Sequence, residues 1–298
     1  MARFRVEPER AGARVDQFVA AMVDGLSVAA ARRLVIAGAV RVDGRPAKKG
    51  APLAAGQTVE VEDTGASSAA PEARGVRADP GLPLALLLVD DAFVAIDKAA
   101  GVPSHPQAAG ETGTAANAIV ARFPECAAAS PDPREGGLVH RLDAGTSGVL
   151  IAARSRGAWT DLRAALARAD CEKTYLAEVV GAAPDAGESR RPIGRVGRRG
   201  SRVRVDGGRN PLPAHTAWET VERRGETTLV RVRLSKGRTH QVRAHLSAAG
   251  CPIVGDDLYG AGTGALRLHA ASVRFTHPAS GRTIFVEAPP PDWAKLRS

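Results

Sequence analysis

The chain has 298 residues, of which 44% are hydrophobic and 24% are charged, a balance typical of one large or two modest globular domains. Lysine and arginine (41) outnumber aspartate and glutamate (32), so the net charge of +9 indicates a polyanionic partner, nucleic acid first and an anionic membrane surface second. Three isolated cysteines without a Cys-x-x-Cys pair suggest neither a disulfide framework nor a zinc site. The first ten residues lack the apolar core of a signal peptide, and no apolar run is long enough to span a bilayer, so we expect a cytoplasmic protein.

Residues 1–62 predict a small basic domain. Apolar residues recur at helical spacing over Arg14–Met22 and again after Ser27, which is the predicted cap of a second helix. A hairpin follows, with Val40–Val42 as its first strand. The candidate RNA-binding cations of this domain are Arg32, Arg33, Arg41, Lys48 and Lys49. Because phosphate contacts need repeated cations on one face, we predict that the domain binds RNA rather than docking onto protein.

Residues 63–82 are rich in Gly, Pro, Ser and Ala, and we predict a flexible linker there, followed by a second domain at 83–298. In that domain we expect one helix from Ser155 to about Ala169 and another capped by Thr239. Between residues 187 and 209, eight arginines and two acids predict a mobile basic loop or hairpin suited to a phosphate backbone. Many short strands with few helices indicate an α+β domain with a mixed, mainly antiparallel sheet.

One carboxylate stands out in the second domain. The run His-Arg-Leu-Asp-Ala-Gly-Thr-Ser-Gly at 140–148 places Asp143 on a tight loop before Val149–Ala153, an apolar stretch that predicts a buried strand. An acid in this position is held rigidly and can still be reached by a ligand. Since a carboxylate that is ionised and close can bond to an electrophilic carbon, we predict Asp143 as the nucleophile.

The motif at 140–148 resembles the signature of the RluA-type pseudouridine synthases. Residues 97–106 resemble the first catalytic-domain motif of that family, with Asp97 in place of the usual Asn and Ala99 in place of Pro. Residues 237–246 match every specified position of the family's later motif, Gly-Arg-x-His-Gln-x-Arg-x-His-Leu. The helix, helix, hairpin order of the N-terminal domain resembles the small RNA-binding domain named after a ribosomal small-subunit protein, which precedes the catalytic part in many of these synthases.

The resemblance implies an enzyme that breaks the N1–C1′ bond of a uridine in RNA, rotates the uracil and rejoins it through C5. It implies that Asp143 is catalytic and pairs with Arg243, and that Tyr175 stacks on the uracil and assists proton transfer at C5. Arg141 is implied to fill the gap left by the extruded nucleotide or to hold its phosphate. Three roles of the aspartate remain open: attack at C1′, addition to C6 and promotion of the loss of the C2′ proton.

We expect neither a metal nor a nucleotide cofactor. His240 and His245 are five residues apart and would face different directions on one helix, and no glycine-rich nucleotide-binding loop occurs. Two other functions remain open: a catalytically silent RNA-binding or chaperone protein that retains the fold, and a metal-dependent phosphodiesterase. The N-terminal domain favours large-subunit ribosomal RNA as the substrate, with transfer RNA still open, and we expect a monomer.

Overall fold

The chain forms two units in the computed structural model, Met1–Pro71 and Glu72–Ser298. The structure describes residues 2–23, 26, 28–62, 75–197, 202–260, 262 and 264–297. Ser27, the predicted helix cap, and the first part of the predicted linker, 63–74, lie outside the described residues. None of the helices in the described part of the chain is long and apolar enough to cross a membrane.

In the first unit, two helices pack against a small antiparallel sheet. Its described elements are β1 (Ala2–Arg5), α1 (Val15–Met22), α2 (Val28–Ile36), β2 (Val40–Val42), β3 (Arg45–Pro46) and β4 (Thr58–Val61). The strand order is β1-β4-β2-β3. Phe18 and Val19 of α1 and Val35 of α2 pack with Val40 and Val59 in a buried apolar core, which explains the helical spacing of the apolar residues. The predicted order of helix, helix and hairpin is confirmed.

The second unit is built on a large sheet. Its described strands are β5 (Ala85–Val89), β6 (Phe93–Lys98), β7 (Ser147–Ala153), β8 (Glu172–Val180), β9 (Ala186–Ser189), β10 (Ile193–Val196), β11 (Arg202–Val205), β12 (Arg209–Leu212), β13 (Thr216–Arg224), β14 (Thr227–Leu234), β15 (Leu268–Thr276) and β16 (Thr283–Glu287). Its described helices are α3 (Ala115–Arg122), α4 (Arg156–Ala165) and α5 (Gln241–Ala248).

Among the described residues, nine of these strands form the large sheet and three form a small one. The large sheet has the order β5-β6-β7-β15-β8-β14-β13-β9, with β16 beside β15, and the small sheet has the order β11-β10-β12. In the described part of the chain, β7 and β15 are the only parallel neighbours. The predicted α+β fold with a mixed, mainly antiparallel sheet is therefore confirmed.

Strand β6 is buried on both faces. Phe93 and Ala95 pack in a cluster that includes Leu162 of α4, whereas Val94 packs in a cluster that includes Ile119 of α3. Alternate residues of a strand point to opposite faces, so one helix covers each face of the sheet. Each fully buried Leu, Ile or Phe contributes about 1.5–3 kcal/mol, so the two helices hold the centre of the sheet firmly.

The start of β7 passes very close to β15. Gly148 has a φ of 106°, and a Cβ at this position would lie 2.2 Å from the carbonyl oxygen of Ala270, so the position requires glycine. The neighbouring Ser147 hydroxyl lies 2.8 Å from Nδ1 of His269 on β15. The loop that leads into β7, which carries Asp143, is thus held against β15.

The helix over 156–165 is shorter than predicted. Ser155 caps α4 as expected, since its hydroxyl accepts a hydrogen bond from the backbone N–H of Ala158. The helix ends at Ala165 rather than near Ala169. Beyond Ala165 the backbone tightens, since the N–H groups of Ala167 and Arg168 donate to the carbonyls of the third residues before them, Ala164 and Ala165, where the chain turns towards β8.

The predicted cap of α5 is wrong. The helix begins at Gln241, and His240, not Thr239, occupies the N-cap position in a left-handed conformation with a φ of 52°. The backbone N–H of Gln241, the first residue of the helix, donates to the carbonyl of Arg238 at 3.1 Å, so this N–H has a partner without the Thr239 hydroxyl.

The structure describes the second part of the predicted linker and most of the arginine-rich stretch. The second part of the predicted linker packs against the second unit: Val76 is buried and its N–H donates to the carbonyl of Pro133 at 3.0 Å. The prediction of a flexible linker is therefore wrong for this part, because the composition of the stretch, rich in Gly, Pro and Ala, did not reveal that one apolar residue, Val76, is buried. The arginine-rich stretch 187–209 was predicted as a mobile loop or a hairpin. It contains strands β9, β10 and β11, of which β10 and β11 pair antiparallel as in a hairpin, and residues 198–201 between them lie outside the described residues.

Candidate active site

The large sheet carries a cleft of about 380 Å³ that is partly open to solvent. The loop before β7, strand β8 and the first turns of α5 contribute Asp143, Tyr175 and Arg243 to its lining. Leu234 at the end of β14 and Leu268 at the start of β15 add an apolar wall. Asp143 is the only acid among the described residues that line the cleft. The structure thus brings together the three residues predicted to be catalytic.

Asp143 is paired with Arg243. Arg243 Nη1 donates a 3.0 Å hydrogen bond to Asp143 Oδ2, so the contact implied by the resemblance is present across 100 residues of sequence. The Asp143 side chain is 27% exposed and that of Arg243 is 6% exposed, so the carboxylate can be reached while its cation is shielded from solvent. The pair fixes the orientation of the carboxylate and places a positive charge beside it.

A second carboxylate, Asp256, holds Arg243 from the other side. Arg243 donates from Nε and Nη2 to the two Asp256 oxygens at 2.9 and 2.7 Å, and the Asp256 side chain is fully buried. Burial opposes the charged form of Arg243, but the hydrogen bonds to Asp256 and Asp143 outweigh it and raise the pKa of the guanidinium. Burial also opposes ionisation of Asp256, but hydrogen bonds from Arg243 and nearby backbone N–H groups lower its pKa. Arg243 is therefore a permanent, fixed cation.

The segment 97–106 supports the loop that carries Asp143. Lys98 is buried, and its ammonium donates to three backbone carbonyls, those of Ala99, Val102 and Ala144. Burial lowers the pKa of Lys98 to about 8. The Ser104 hydroxyl donates to the Leu142 carbonyl at 2.7 Å and accepts from the Leu142 N–H at 3.0 Å. Both neighbours of Asp143 are thus fixed by the first motif.

Tyr175 faces the cleft from β8. Its hydroxyl makes no hydrogen bond to any residue that the structure describes. Burial, followed by the nearby charge of Asp143, raises the pKa of the phenol, which therefore keeps its proton at neutral pH. A protonated phenol beside a carboxylate has a ring on which a base can stack and a hydroxyl that can transfer a proton.

Two further arginines reach the cleft without an acidic partner among the described residues. Arg141 is exposed, and Arg238 is half-buried, with an Nε that lacks a hydrogen-bond partner within the described part of the chain. Unpaired guanidinium groups at the mouth of a cleft are suited to bind phosphate. Arg141 was expected here from the sequence and Arg238 was not.

Two of the histidines in the family motifs, His140 and His245, have partners within the protein. His140 Nε2 accepts a hydrogen bond from the backbone N–H of Ile151 at 3.1 Å. His245 is buried, and its Nδ1 lies 2.8 Å from the Thr216 hydroxyl. Within the described residues, no group of three or more His, Cys, Asp or Glu side chains is arranged to hold a metal ion.

Comparisons with known proteins agree with this geometry. Residues 92–248 match the family model described as RNA pseudouridylate synthase. The chain belongs to this family. Residues 13–59 match the S4 domain model, which covers both helices of the first unit, strands β2 and β3 and the start of β4. The protein is thus an RNA pseudouridine synthase with an N-terminal S4 domain.

Relatives match over nearly the whole chain. The chain is 36% identical to "Ribosomal large subunit pseudouridine synthase D" of Xanthomonas campestris pv. campestris, over 96% of this chain and 88% of that protein. It is 33% identical to "Ribosomal large subunit pseudouridine synthase C" of Escherichia coli O157:H7, over 97% of this chain and 93% of that protein. The solved structure of "Human RNA Pseudouridylate Synthase Domain Containing 1" is 26% identical, covers 70% of this chain and 83% of its own, and superposes with a TM-score of 0.56.

In the S4 domain, the five cations predicted to bind RNA differ in their contacts. Three of them are exposed and have no acidic partner among the described residues: Arg33, Lys48 and Lys49. Arg41 is half-exposed and lies 3.7 Å from Glu62. Arg32 donates a 3.0 Å hydrogen bond to Asp16, whose side chain is buried. Arg32 is thus engaged in an ion pair inside the domain, which differs from the free cation expected from the sequence.

Four residues of the site were not expected from the sequence: Lys98, Arg238, Asp256 and Tyr259. Two of these residues, Asp256 and Tyr259, have a sequence context that could have drawn attention to them. Asp256 follows a short apolar run and a glycine, Gly255, in the sequence. In the structure a Cβ at Gly255 would lie 2.1 Å from the carbonyl oxygen of Ala265, so this acid lies in a tightly packed turn. Tyr259 is one of only two tyrosines in the chain, and its ring lies 5.4 Å from the Arg243 guanidinium.

Proposed function

We propose that the enzyme isomerises specific uridines of large-subunit ribosomal RNA and that Asp143 is its catalytic carboxylate. One observation carries this assignment: Asp143, the only acid among the described residues of the cleft, is fixed by Arg243 in the same cleft as Tyr175. The names of the relatives and the S4 domain support ribosomal RNA as the substrate. Transfer RNA is the alternative substrate to be tested.

The reaction needs no oxidant, reductant or water. The N1–C1′ bond breaks and a C5–C1′ bond forms, while N1 gains a proton and C5 loses one. Asp143 starts bond cleavage by attack at C1′, by addition to C6 or by promoting loss of the C2′ proton. The protonated phenol of Tyr175 supports a role in stacking on the uracil and in transferring the proton at C5.

The cleft has the features needed to hold an extruded nucleotide. A uridine that is stacked inside a helix cannot be reached by a carboxylate at the base of a cleft, so the nucleotide must leave the stack. Leu234 and Leu268 offer an apolar wall to the faces of the uracil. Arg141 and Arg238 line the cleft with guanidinium groups that have no acidic partner among the described residues, which supports a role in binding the phosphates of the nucleotide. Arg141 also has the length to enter the vacated space.

We infer that the S4 domain adds affinity through its exposed cations. Removing one cation that binds a phosphate should make the slope of log K against log salt less steep by about one. Arg33→Ala should show this change. Arg32→Ala is the matched control on the neighbouring residue, and it should leave the slope nearly unchanged because Arg32 pairs with Asp16. Equal slopes for the two variants would contradict the assignment.

Tritium release tests the proposed reaction, since formation of the C5–C1′ bond expels the hydrogen of C5. Unmodified large-subunit ribosomal RNA and transfer RNA, both made with [5-³H]uridine, are incubated with wild type and with Asp143→Asn. We expect release from ribosomal RNA with wild type and none with the variant, although both proteins bind the RNA equally. Tritium release from transfer RNA but not from ribosomal RNA would contradict the proposal that ribosomal RNA is the substrate. Binding without release in wild type would favour the silent RNA-binding protein.

The size and location of the enzyme are also part of the proposal. We expect a monomer of 30.9 kDa in size-exclusion chromatography and a cytoplasmic site of action, where ribosomal RNA is modified. An elution volume that corresponds to twice this mass would contradict the monomer.

A further inference from the structure

Tyr259 links the small sheet β11-β10-β12 to the active site. The backbone N–H of Val203, on β11, donates a 2.8 Å hydrogen bond to the Tyr259 hydroxyl. The same hydroxyl lies 2.9 Å from His240 Nδ1, and the two rings meet edge to face with centroids 5.6 Å apart. On the other side of the imidazole, His240 Nε2 lies 3.6 Å from Asp143 Oδ1. A line of polar contacts therefore runs from β11 to the catalytic carboxylate.

The proton positions along this line follow from the available donors and acceptors. The Val203 N–H can only donate, so it uses one lone pair of the Tyr259 oxygen. A neutral imidazole has one N–H, and an Nε2 without a proton would direct its lone pair at the Asp143 carboxylate. This repulsion is avoided when the Tyr259 hydroxyl donates to Nδ1 and the proton of the imidazole is on Nε2. Burial lowers the pKa of His240, which keeps the ring neutral.

We propose that Tyr259 fixes His240 as its Nε2–H tautomer, and that His240 then positions Asp143 through the carboxylate oxygen that Arg243 does not contact. The inference rests on the proposed function of Asp143. Each carboxylate oxygen has its own donor in this arrangement, Arg243 at Oδ2 and His240 at Oδ1. The separation of 3.6 Å is longer than a hydrogen bond, and such contacts in unliganded sites often shorten when substrate binds.

The backbone of His240 supports a positioning role. Its φ of 52° places it in the left-handed region, which costs a residue other than glycine about 1–3 kcal/mol and persists only where the surroundings hold the residue there. The contact with Tyr259 is one such restraint. The left-handed turn also lets the imidazole face Asp143 while the next residues start α5 and bring Arg243 to the same carboxylate.

The other end of the line lies on the arginine-bearing sheet. Tyr259 packs against Val203 and Ile193 in a small apolar cluster beneath that sheet. Arg202 and Arg204 flank Val203 on β11, and both are exposed without an acidic partner among the described residues. An RNA phosphate bound to Arg202 and Arg204 would restrict the position of β11, whose Val203 N–H donates to the Tyr259 hydroxyl. Tyr259 would therefore connect an RNA bound to this arginine-bearing sheet with the orientation of Asp143.

The tautomer can be measured directly by ¹⁵N NMR of the full-length protein labelled with [¹⁵N]histidine, without RNA or turnover. The signal of His240 is assigned as the one that disappears in His240→Gln. We expect the proton on Nε2 in wild type and a shift towards Nδ1–H in Tyr259→Phe, which lacks only the hydroxyl. A wild-type His240 protonated on Nδ1, or the same tautomer in Tyr259→Phe, would overturn the proposal.

A double-mutant cycle separates positioning from packing. Tyr259→Phe should lower kcat about tenfold with little change in KM. In the His240→Gln background the same substitution should change kcat by less than about twofold, because glutamine has no counterpart of the Nδ1 atom that Tyr259 contacts. Equal reductions of kcat in both backgrounds would mean that Tyr259 acts through packing and would overturn the proposal. An inactive wild-type enzyme would count against the proposed function alone, since the tautomer is measured without turnover.

Discussion

Asp256 should supply most of the free energy that fixes Arg243, and its replacement should destabilise the second unit strongly. Asp256→Asn keeps the size of the side chain but removes the charge that faces Nε and Nη2 at 2.9 and 2.7 Å. Two charges about 4 Å apart interact by about 4 kcal/mol at an effective dielectric constant of about 20, and removing one partner of a buried pair costs about 3–5 kcal/mol. Asp143 still compensates part of the Arg243 charge, so we expect the free energy of unfolding to fall by about 3 kcal/mol.

Asp257 offers a matched control on the next residue. It also contacts Arg243, at 3.4 Å, but its side chain is 80% exposed. Exposed pairs contribute at most about 1 kcal/mol, so Asp257→Asn should have a small effect. Tryptophan fluorescence in urea measures both, because all three tryptophans belong to the second unit. At an m value of about 3 kcal/mol/M, the midpoint of Asp256→Asn should fall by about 1 M.

The pH dependence gives an independent check. Hydrogen bonds from Arg243 hold the pKa of Asp256 in the folded protein below the value of about 3.9 expected in the unfolded chain. The stability that Asp256 provides is therefore complete above about pH 4 and is lost as the pH falls through its folded pKa. The difference in stability between wild type and Asp256→Asn should be constant across neutral pH and shrink in acid. Equal destabilisation by the two asparagine substitutions, or a difference that widens in acid, would refute the reasoning.

Other substitutions test the remaining parts of the account. Arg243→Lys should lower kcat at least about tenfold with an unchanged Kd for RNA, because a lysine ammonium cannot bond Asp143 and Asp256 at the same time as the planar guanidinium does. Full activity of this variant would contradict the role of Arg243. Lys98→Met should lower the free energy of unfolding by at least about 2 kcal/mol, since three carbonyls lose their donor. Gly148→Ala should destabilise the enzyme in the same urea assay through the clash with Ala270, whereas Gly157→Ala, with open space on α4, should be neutral or stabilising by up to about 1 kcal/mol.

The sequence predicted the elements whose residues alternate or recur regularly. Strand β7 was visible because Val149–Ala153 is uniformly apolar, and α1 because one face of it is apolar. The end of α4 and the start of α5 were not predictable. The first depends on a tight turn after Ala165, and the second depends on the left-handed backbone of His240. Local patterns do not contain such tertiary constraints.

The candidate site shows the same division. Asp143 was singled out by its loop and motif, and its partner Arg243 by the resemblance of a second motif. Asp256 and Tyr259 belong to the same network but act through Arg243 and His240, so their roles depend on how α5 packs on the sheets. Arg32 shows the converse, because a cation that looks free in the sequence is paired with the buried Asp16 in the fold.

The most direct test of the central claim is to map pseudouridines formed in unmodified ribosomal RNA by wild type and by Asp143→Asn, using carbodiimide-dependent stops of reverse transcription. We predict new stops at defined uridines of large-subunit RNA with wild type only, which would establish the activity, its dependence on Asp143 and the target together. New stops with both proteins would contradict the role of Asp143. The absence of stops in both ribosomal and transfer RNA with wild type would contradict the proposed reaction.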